Sequence, residues 1–173
     1  MEAAKELALQ IDKDLIVELK LVSTSGPDHL LDYANTPTDT LAVADIVNAR
    51  KLLNIQNVPM ADRYMLISPA QEAALLQISD FVHADKYGSA EGVMNGELGR
   101  IYGFRVLMHS TLADAQAIFY HKSHVGFAQQ MQPEFKTAFD LASASDEFLL
   151  HTVYGAEVLD SGKRGVYYNG SGS

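Results

Sequence analysis

The chain has 173 residues, 47% hydrophobic and 20% charged, with no cysteine, no tryptophan and a formal net charge of −9. That length suits one domain, or one domain with a subdomain, and can bury about 70% of its unfolded surface without staples. The missing cysteines exclude a disulfide framework and any thiolate nucleophile or metal site, and the acidic balance argues against sequence-independent binding of nucleic acid.

Residues 2–22 read as a long amphipathic helix. Leu7, Ala8, Ile11, Leu15, Leu19 and Val22 recur at three- and four-residue spacing, with Glu6, Asp12, Lys13, Asp14, Glu18 and Lys20 over much of the rest. Ser23-Thr24-Ser25-Gly26-Pro27 breaks the pattern. Residues 28–39 read as a loop, with turn chemistry at Asn35 to Asp39. A second helix is predicted from about Leu41 to Asn54, capped by Asp39 or Thr40, with Leu41, Ala44, Val47, Leu52 and Leu53 on its apolar side. Asn57-Val58-Pro59 closes the turn behind it. Tyr64-Met65-Leu66-Ile67 is a short strand, apolar throughout and so buried on both faces. Ser68-Pro69-Ala70-Gln71 opens a third helix that runs to about Ile78, with a serine cap, proline at the first helical position and a capping-box spacing.

Residues 79–97 form a polar, glycine-bearing loop, of a length that is usually functional or mobile. Ile101 to His109 reads as one strand, in which Gly103 marks a bulge or a close backbone approach. Thr111 to Gln116 is a turn, Ala117 to His121 a strand, Ser123 to Gln130 a short helix and Phe135 to Leu141 a weakly alternating strand. Over residues 146–159, Phe148, Leu150, Thr152 and Tyr154 alternate with Leu149, His151 and Val153, which favours a long strand. Asp160-Ser161-Gly162-Lys163 is then a hairpin turn, with Gly165 to Tyr168 as the returning strand. The closing run Asn169 to Ser173 reads as a flexible tail or expression scar. The class is α+β, without the regular alternation of a doubly wound sheet. No apolar run approaches the roughly 20 residues needed to cross a bilayer, and Met1 to Glu6 lacks the basic region and apolar core of a signal peptide.

Chemistry is sparse. Among the histidines His29, His83, His109, His121, His124 and His151, only His121 and His124 have a spacing that could share a metal on a helix. No carboxylate nearby completes that ligand set, so a surface turn is the plainer reading. His109-Ser110 could suggest a base beside a nucleophile, but neighbours on a strand point to opposite faces. Asp14 and Glu18 share a helix face, close to Asp12, and read as a solvated surface between Lys13 and Lys20. No phosphate loop, dinucleotide fingerprint, zinc helix or nucleophile elbow occurs; Gly96-Glu97-Leu98-Gly99 is a turn. Tyr167 and Tyr168 near Lys163 and Arg164 are explained by a hairpin edge as well as by a stacking platform. The reading is therefore no catalytic, cofactor-binding or metal residue, no cofactor, and no enzyme.

The order of these segments carries more information than any one of them. Residues 4–22 resemble the lower part of the spine helix of tailed-bacteriophage major capsid (coat) proteins. Leu41 to Asn54, Asn57-Val58-Pro59, Arg63-Tyr64 and Ser68-Pro69 resemble that family's central axial domain. Gly99-Arg100-Ile101-Tyr102-Gly103-Phe104-Arg105-Val106 resembles its glycine-bearing strand, and Tyr154 to Leu159 with Gly165 to Tyr168 its closing strands. The resemblance implies an α+β capsid fold with spine helix, peripheral domain and axial domain. Residues 1–40 would be spine helix and connecting loop, 41–145 the axial domain, 146–169 closing strands returning to the peripheral domain, and 170–173 a tail. It implies a structural subunit that joins copies of itself as pentamers and hexamers of an icosahedral shell around phage DNA. Such a subunit belongs to the virion and is assembled in the host cytoplasm. Scaffold or decoration proteins are possible partners; a membrane and sequence-specific nucleic acid are not expected. Met1 already falls inside what resembles the spine helix, so the expectation is a fold truncated ahead of it, without the family's N-terminal arm and extended loop. The alternatives are a bacterial nanocompartment shell protein on the same fold, and a small metal-dependent hydrolase using His121 and His124.

Overall fold

The computed structural model describes residues 2–32, 40–76, 99–140 and 145–170. The first helix, α1, spans Glu2–Leu19. It stops short of the predicted Val22 because the next amides find other acceptors. Leu21 N–H turns back to Glu18 O at 3.1 Å, and Ser23 N–H donates to Gly162 O at 3.1 Å. The segment predicted as a loop then contains a short strand, β1 (Leu30–Asp32), too brief to show a period in sequence.

Helix α2 spans Val43–Ile55. Its start is not Asp39 or Thr40 but Ala42, whose N–H is held by the Asp45 carboxylate at 3.0 Å. The buried face is also rotated from the predicted one. Ile46, Ala49, Leu52 and Leu53 are inside, whereas Ala44 and Val47 face out. Strand β2 (Arg63–Ile67) follows, and then α3 (Pro69–Leu75), where Ser68 Oγ accepts from Gln71 N–H at 3.3 Å as the capping pattern predicts. Gln71 itself serves the core: its Oε1 accepts from Leu41 N–H at 2.7 Å and its Nε2 donates to Asp114 O at 2.9 Å. The predicted end of this helix at Ile78 and the loop over 79–97 lie outside the described residues.

The single strand expected from Ile101 to His109 is a hairpin, β3 (Arg100–Ile101) and β4 (Phe104–Met108). Gly103 is neither a bulge nor a close approach. Tyr102 and Gly103 both take left-handed φ, 46° and 90°, the requirement of a tight two-residue hairpin turn. Strand β5 is Gln116–His121. The short helix expected over Ser123 to Gln130 is instead the first part of β6 (Val125–Asp140), which absorbs the weak strand predicted beyond it. Strand β7 (Ser145–Val158) matches the long-strand reading. A single 3-10 turn, Asp160–Gly162, leads to β8 (Gly165–Asn169). That turn does not close a hairpin: β7 pairs with β6, while β8 enters another sheet. Asn169, assigned to the tail in sequence, closes β8, and Gly170 N–H donates to Ala115 O at 2.9 Å.

Six strands form the main sheet in the order β1-β8-β5-β2-β4-β3. Strand β2 lies parallel to β4 and antiparallel to β5, so Met65 has Val106 on one side and Phe119 on the other. Alternate residues then divide between two cores. Met65, Ile67, Phe104, Phe119, Val166 and Tyr168 pack beneath α2 and α3 residues Ile46, Leu53 and Leu75. Leu66 and Ile118 on the opposite face pack with Leu112 and with Ile16 of α1. Covering both faces is why β2 reads as an unbroken apolar run. The second sheet is only the ribbon β6–β7. Strand β1, early in the chain, and β8, late in it, complete the main sheet. Among the described residues no helix is long and apolar enough to cross a membrane.

Candidate functional site

The polar residues singled out in sequence do not converge. His121 Nδ1 lies 2.8 Å from Ser123 Oγ at the turn after β5. His124 is fully buried with Nε2 donating to Leu19 O, at the end of α1, over 3.3 Å. The two rings thus serve different partners. Among the described residues no group of three His, Cys, Asp or Glu side chains could hold a metal ion. His109 accepts from Thr111 N–H through Nδ1 at 3.2 Å and has Nε2 3.7 Å from Asp12, which ties the end of β4 to α1. Asp14 accepts from Gln10 Nε2 at 2.8 Å and from the Tyr154 hydroxyl at 2.5 Å, so it fastens α1 to β7. That hydrogen bond, with lesser help from burial and the carboxylate charge, holds the Tyr154 phenol above its usual range. Tyr167 has the Lys20 ammonium 5.8 Å from its ring centre, and Lys20 donates to Gln116 at 2.8 Å. Burial holds the Lys20 amine below its ordinary value. His83 lies outside the described residues.

The prominent feature is the ribbon. A two-stranded ribbon standing alone is marginal in water, yet this one carries large apolar side chains in the open. In register, Phe135 faces Leu150, Thr137 faces Phe148 and Phe139 faces Asp146, so all six lie on one face. Phe135 and Phe148 stack with ring centres 5.7 Å apart. Phe135 and Phe139 are each 60% exposed and Phe148 is 68% exposed. On the opposite face Glu134 lies 3.5 Å from Lys136 and 3.7 Å from His151, with Leu149 directly across from Lys136.

Two register shifts interrupt β6, between Gln129 and Met131 and between Met131 and Glu134. Each extra residue turns the following side chains to the other face of the ribbon, and a second one turns them back. Phe127 and Phe135 therefore share a face although the strand between them is irregular. Pro133 sits in the second shift, where a missing N–H is tolerated. Nearer the main sheet the same face meets α1, where Phe127 lies against Tyr154 with ring centres 5.9 Å apart. The outer part of the face, from Phe135 to Phe139, is exposed. Sequence reading missed this surface because it split β6 into a helix and a strand. The signal available was the repeat of Phe127, Phe135 and Phe139 at odd positions.

A family model described as phage capsid protein matches residues 11–166. A solved structure from Mycobacterium phage Che8 is 26% identical, with a TM-score of 0.71, covering 98% of this chain and 61% of that one. The mature capsid of bacteriophage PhiM1 is 12% identical (TM-score 0.65; 95% of this chain, 61% of that chain), and a virus-like particle from Pyrococcus furiosus 13% identical (TM-score 0.65; 97% and 64%). No curated protein matches at a significant level. The chain thus spans less than two thirds of the length of these structures. The α+β fold described above is that of the capsid structures, and the extent of the family match decides the assignment: this chain belongs to the phage capsid protein family.

Proposed function

We propose that the chain is the self-associating body of a major capsid subunit, which builds pentamers and hexamers of an icosahedral shell enclosing phage DNA. It works by contact between copies rather than by turnover of a substrate. Its place is the virion capsid, reached by assembly in the host cytoplasm, with scaffold or decoration proteins as further partners. The six-stranded sheet with α2 and α3 is then the axial part, and α1 with the ribbon β6–β7 the peripheral part.

The observation that carries this reading is the ribbon's outer face. Three phenylalanines lie open on an element that has little core of its own. Covering each ring would stabilise by roughly 1–2 kcal/mol, and exposed apolar patches of this kind mark interaction surfaces. Heterologous contacts of modest area add up when many close into a ring or shell. The family assignment favours the phage capsid over a nanocompartment shell, and His121 and His124 supply no support for the hydrolase reading.

The test is native mass measurement across a wide concentration range, with negative-stain imaging of the same samples. Capsomer-sized or larger particles are the expected result. A strict monomer at every concentration would overturn self-association for this chain.

A further inference from the structure

We propose that the open outer half of the ribbon docks on the outward side of helix α1 in a second copy of this chain, setting Phe135, Phe139 and Phe148 of one copy against Leu9, Lys13 and Val17 of the next. The contact rests on the self-association reading above and names what the ribbon's open face meets.

Within one chain the same ribbon face already binds this helix. Its inner part carries Phe127 and Tyr154, with ring centres 5.9 Å apart, and the Tyr154 hydroxyl donates to Asp14 of α1. Helix α1 lies against both ribbon strands there. Along β7 the face runs on through Thr152 and Leu150 to Phe148, at alternate positions, and register sets Phe135 and Thr137 opposite the last two. The open half therefore continues a surface fitted to α1, and another copy of that helix has the matching chemistry.

The helix has a side to offer. Ile16 is buried against the main sheet, and Asp14 is bonded to the ribbon. The sector between them holds Lys13 and Val17, both exposed, Val17 by 60%. Leu9, 42% exposed, extends the row, so that Leu9, Lys13 and Val17 recur at four-residue spacing along one side. Leu9 to Val17 spans roughly 12 Å of helix, and Phe135 to Phe139 about 13 Å of strand. The two rows match in length. Register places Asp146 opposite Phe139 at the outer end of the ribbon face, where it meets the cationic Lys13 in the middle of the helical row. A charge pair at the margin of an apolar contact fixes its register.

Ribbon against ribbon is the other way for two copies to cover these rings. That contact joins identical patches, closes a two-fold dimer and goes no further. Ribbon against helix joins two different patches and leaves one of each free for the next neighbour, so it propagates around a ring.

The chain holds no cysteine, so introduced thiols report the contact directly. Val17→Cys and Thr137→Cys chains carry different isotope labels and are first checked for an unchanged circular dichroism spectrum and melting temperature. They are then mixed at a concentration where the parent assembles, oxidised, and weighed by mass spectrometry. Both positions are exposed, and Thr137 lies opposite Phe148 on the ribbon face. A disulfide forms only where the two Cα atoms come within about 7 Å. The expected result is a mixed bridge in excess of either like-with-like bridge by about tenfold. Dominant bridges between two Thr137→Cys chains, or assembled particles without a mixed bridge, would overturn the proposal and leave self-association standing. A parent that stays monomeric at every concentration removes both. A second arm uses no thiol and decides if a cysteine variant fails to fold. Val17→Asp, at an exposed helical site, keeps the parent melting temperature and raises the concentration for half-assembly by about tenfold or more. Parent-like assembly of that variant overturns the proposal.

Discussion

Gly165 lies directly against the His124 ring: a Cβ added at position 165 would stand 2.6 Å from both Cε1 and Nε2 of the imidazole. This contact is where β8 passes the base of the ribbon and the end of α1. Gly165 O also accepts from His29 Nδ1 at 2.6 Å, and His124 reaches Leu19 O. The backbone there cannot retreat, because β8 is hydrogen-bonded to β1 on one side and β5 on the other. Gly165→Ala is therefore expected to destabilise the subunit by about 2–3 kcal/mol through overpacking. Urea unfolding of the two chains checks it; an unchanged midpoint would show that the ring can move aside.

The same ring makes stability depend on acid. His124 is pushed down to about 4, first by burial and then by the charges of His29 and Arg164, with the Leu19 carbonyl acting the other way. An unfolded imidazole takes up its proton near pH 6.5, well before the folded one. The contribution is therefore complete above about 6.5 and is lost as pH falls from there through about 4, on the order of 3 kcal/mol in all. Subtracting the profile of His124→Gln from that of the parent isolates this part from the carboxylates. Parallel profiles between pH 7.5 and 4.5 would refute it.

Gln71 is a fully buried brace between the segment before α2 and the turn before β5. Gln71→Met keeps the volume but leaves Leu41 N–H and Asp114 C=O without that partner. The expected cost is about 2–4 kcal/mol, since buried backbone groups lose their hydrogen bonds. Thermal unfolding measures it, and a loss below about 1 kcal/mol would mean that Asp114 O is adequately held by Ser68 Oγ alone.

The ribbon's open face can be tested against its other side. Phe148→Asp should leave the melting temperature of the subunit within a few degrees of the parent while abolishing assembly, because the ring is 68% exposed. Lys136→Ala changes the opposite face of the same strand pair and should leave assembly parent-like. Native mass spectra of the two variants check this. Equal behaviour of the two would sink the face assignment.

A softer link joins ribbon and helix through Tyr154 and Asp14. Tyr154→Phe keeps the ring against Phe127 but frees the carboxylate. Faster amide exchange in α1 around Asp14, with β2 unaffected, is the expected outcome. Uniform exchange across both elements would show that α1 is held by Ile16 and its neighbours instead.

Several elements were legible in the residues themselves. Ser68-Pro69 with Gln71 marked the start of α3, the apolar run Tyr64 to Ile67 marked a doubly covered strand, and the alternation from Phe148 to Tyr154 marked β7. These signals are local: a cap, a burial pattern and a period are each written within a few neighbouring residues. The errors share a different origin. The start of α2 moved to Ala42 because a carboxylate inside the helix, Asp45, supplied the cap. Tyr102-Gly103 became a turn because Tyr102 took a left-handed conformation that residues with side chains seldom adopt.

Sequence by itself determined the family, through the order and spacing of its segments, and the mixed helix-and-strand class, through local propensity and patterning. Only the tertiary structure decided which strands meet. It sent β8 away from β7 into the main sheet, brought Arg100 opposite Arg105, and placed Phe135, Phe139 and Phe148 on one open face. The physical reason is that strand pairing and register are settled by contacts between distant residues and by bulges that shift parity. No window along the chain contains both partners of such a contact.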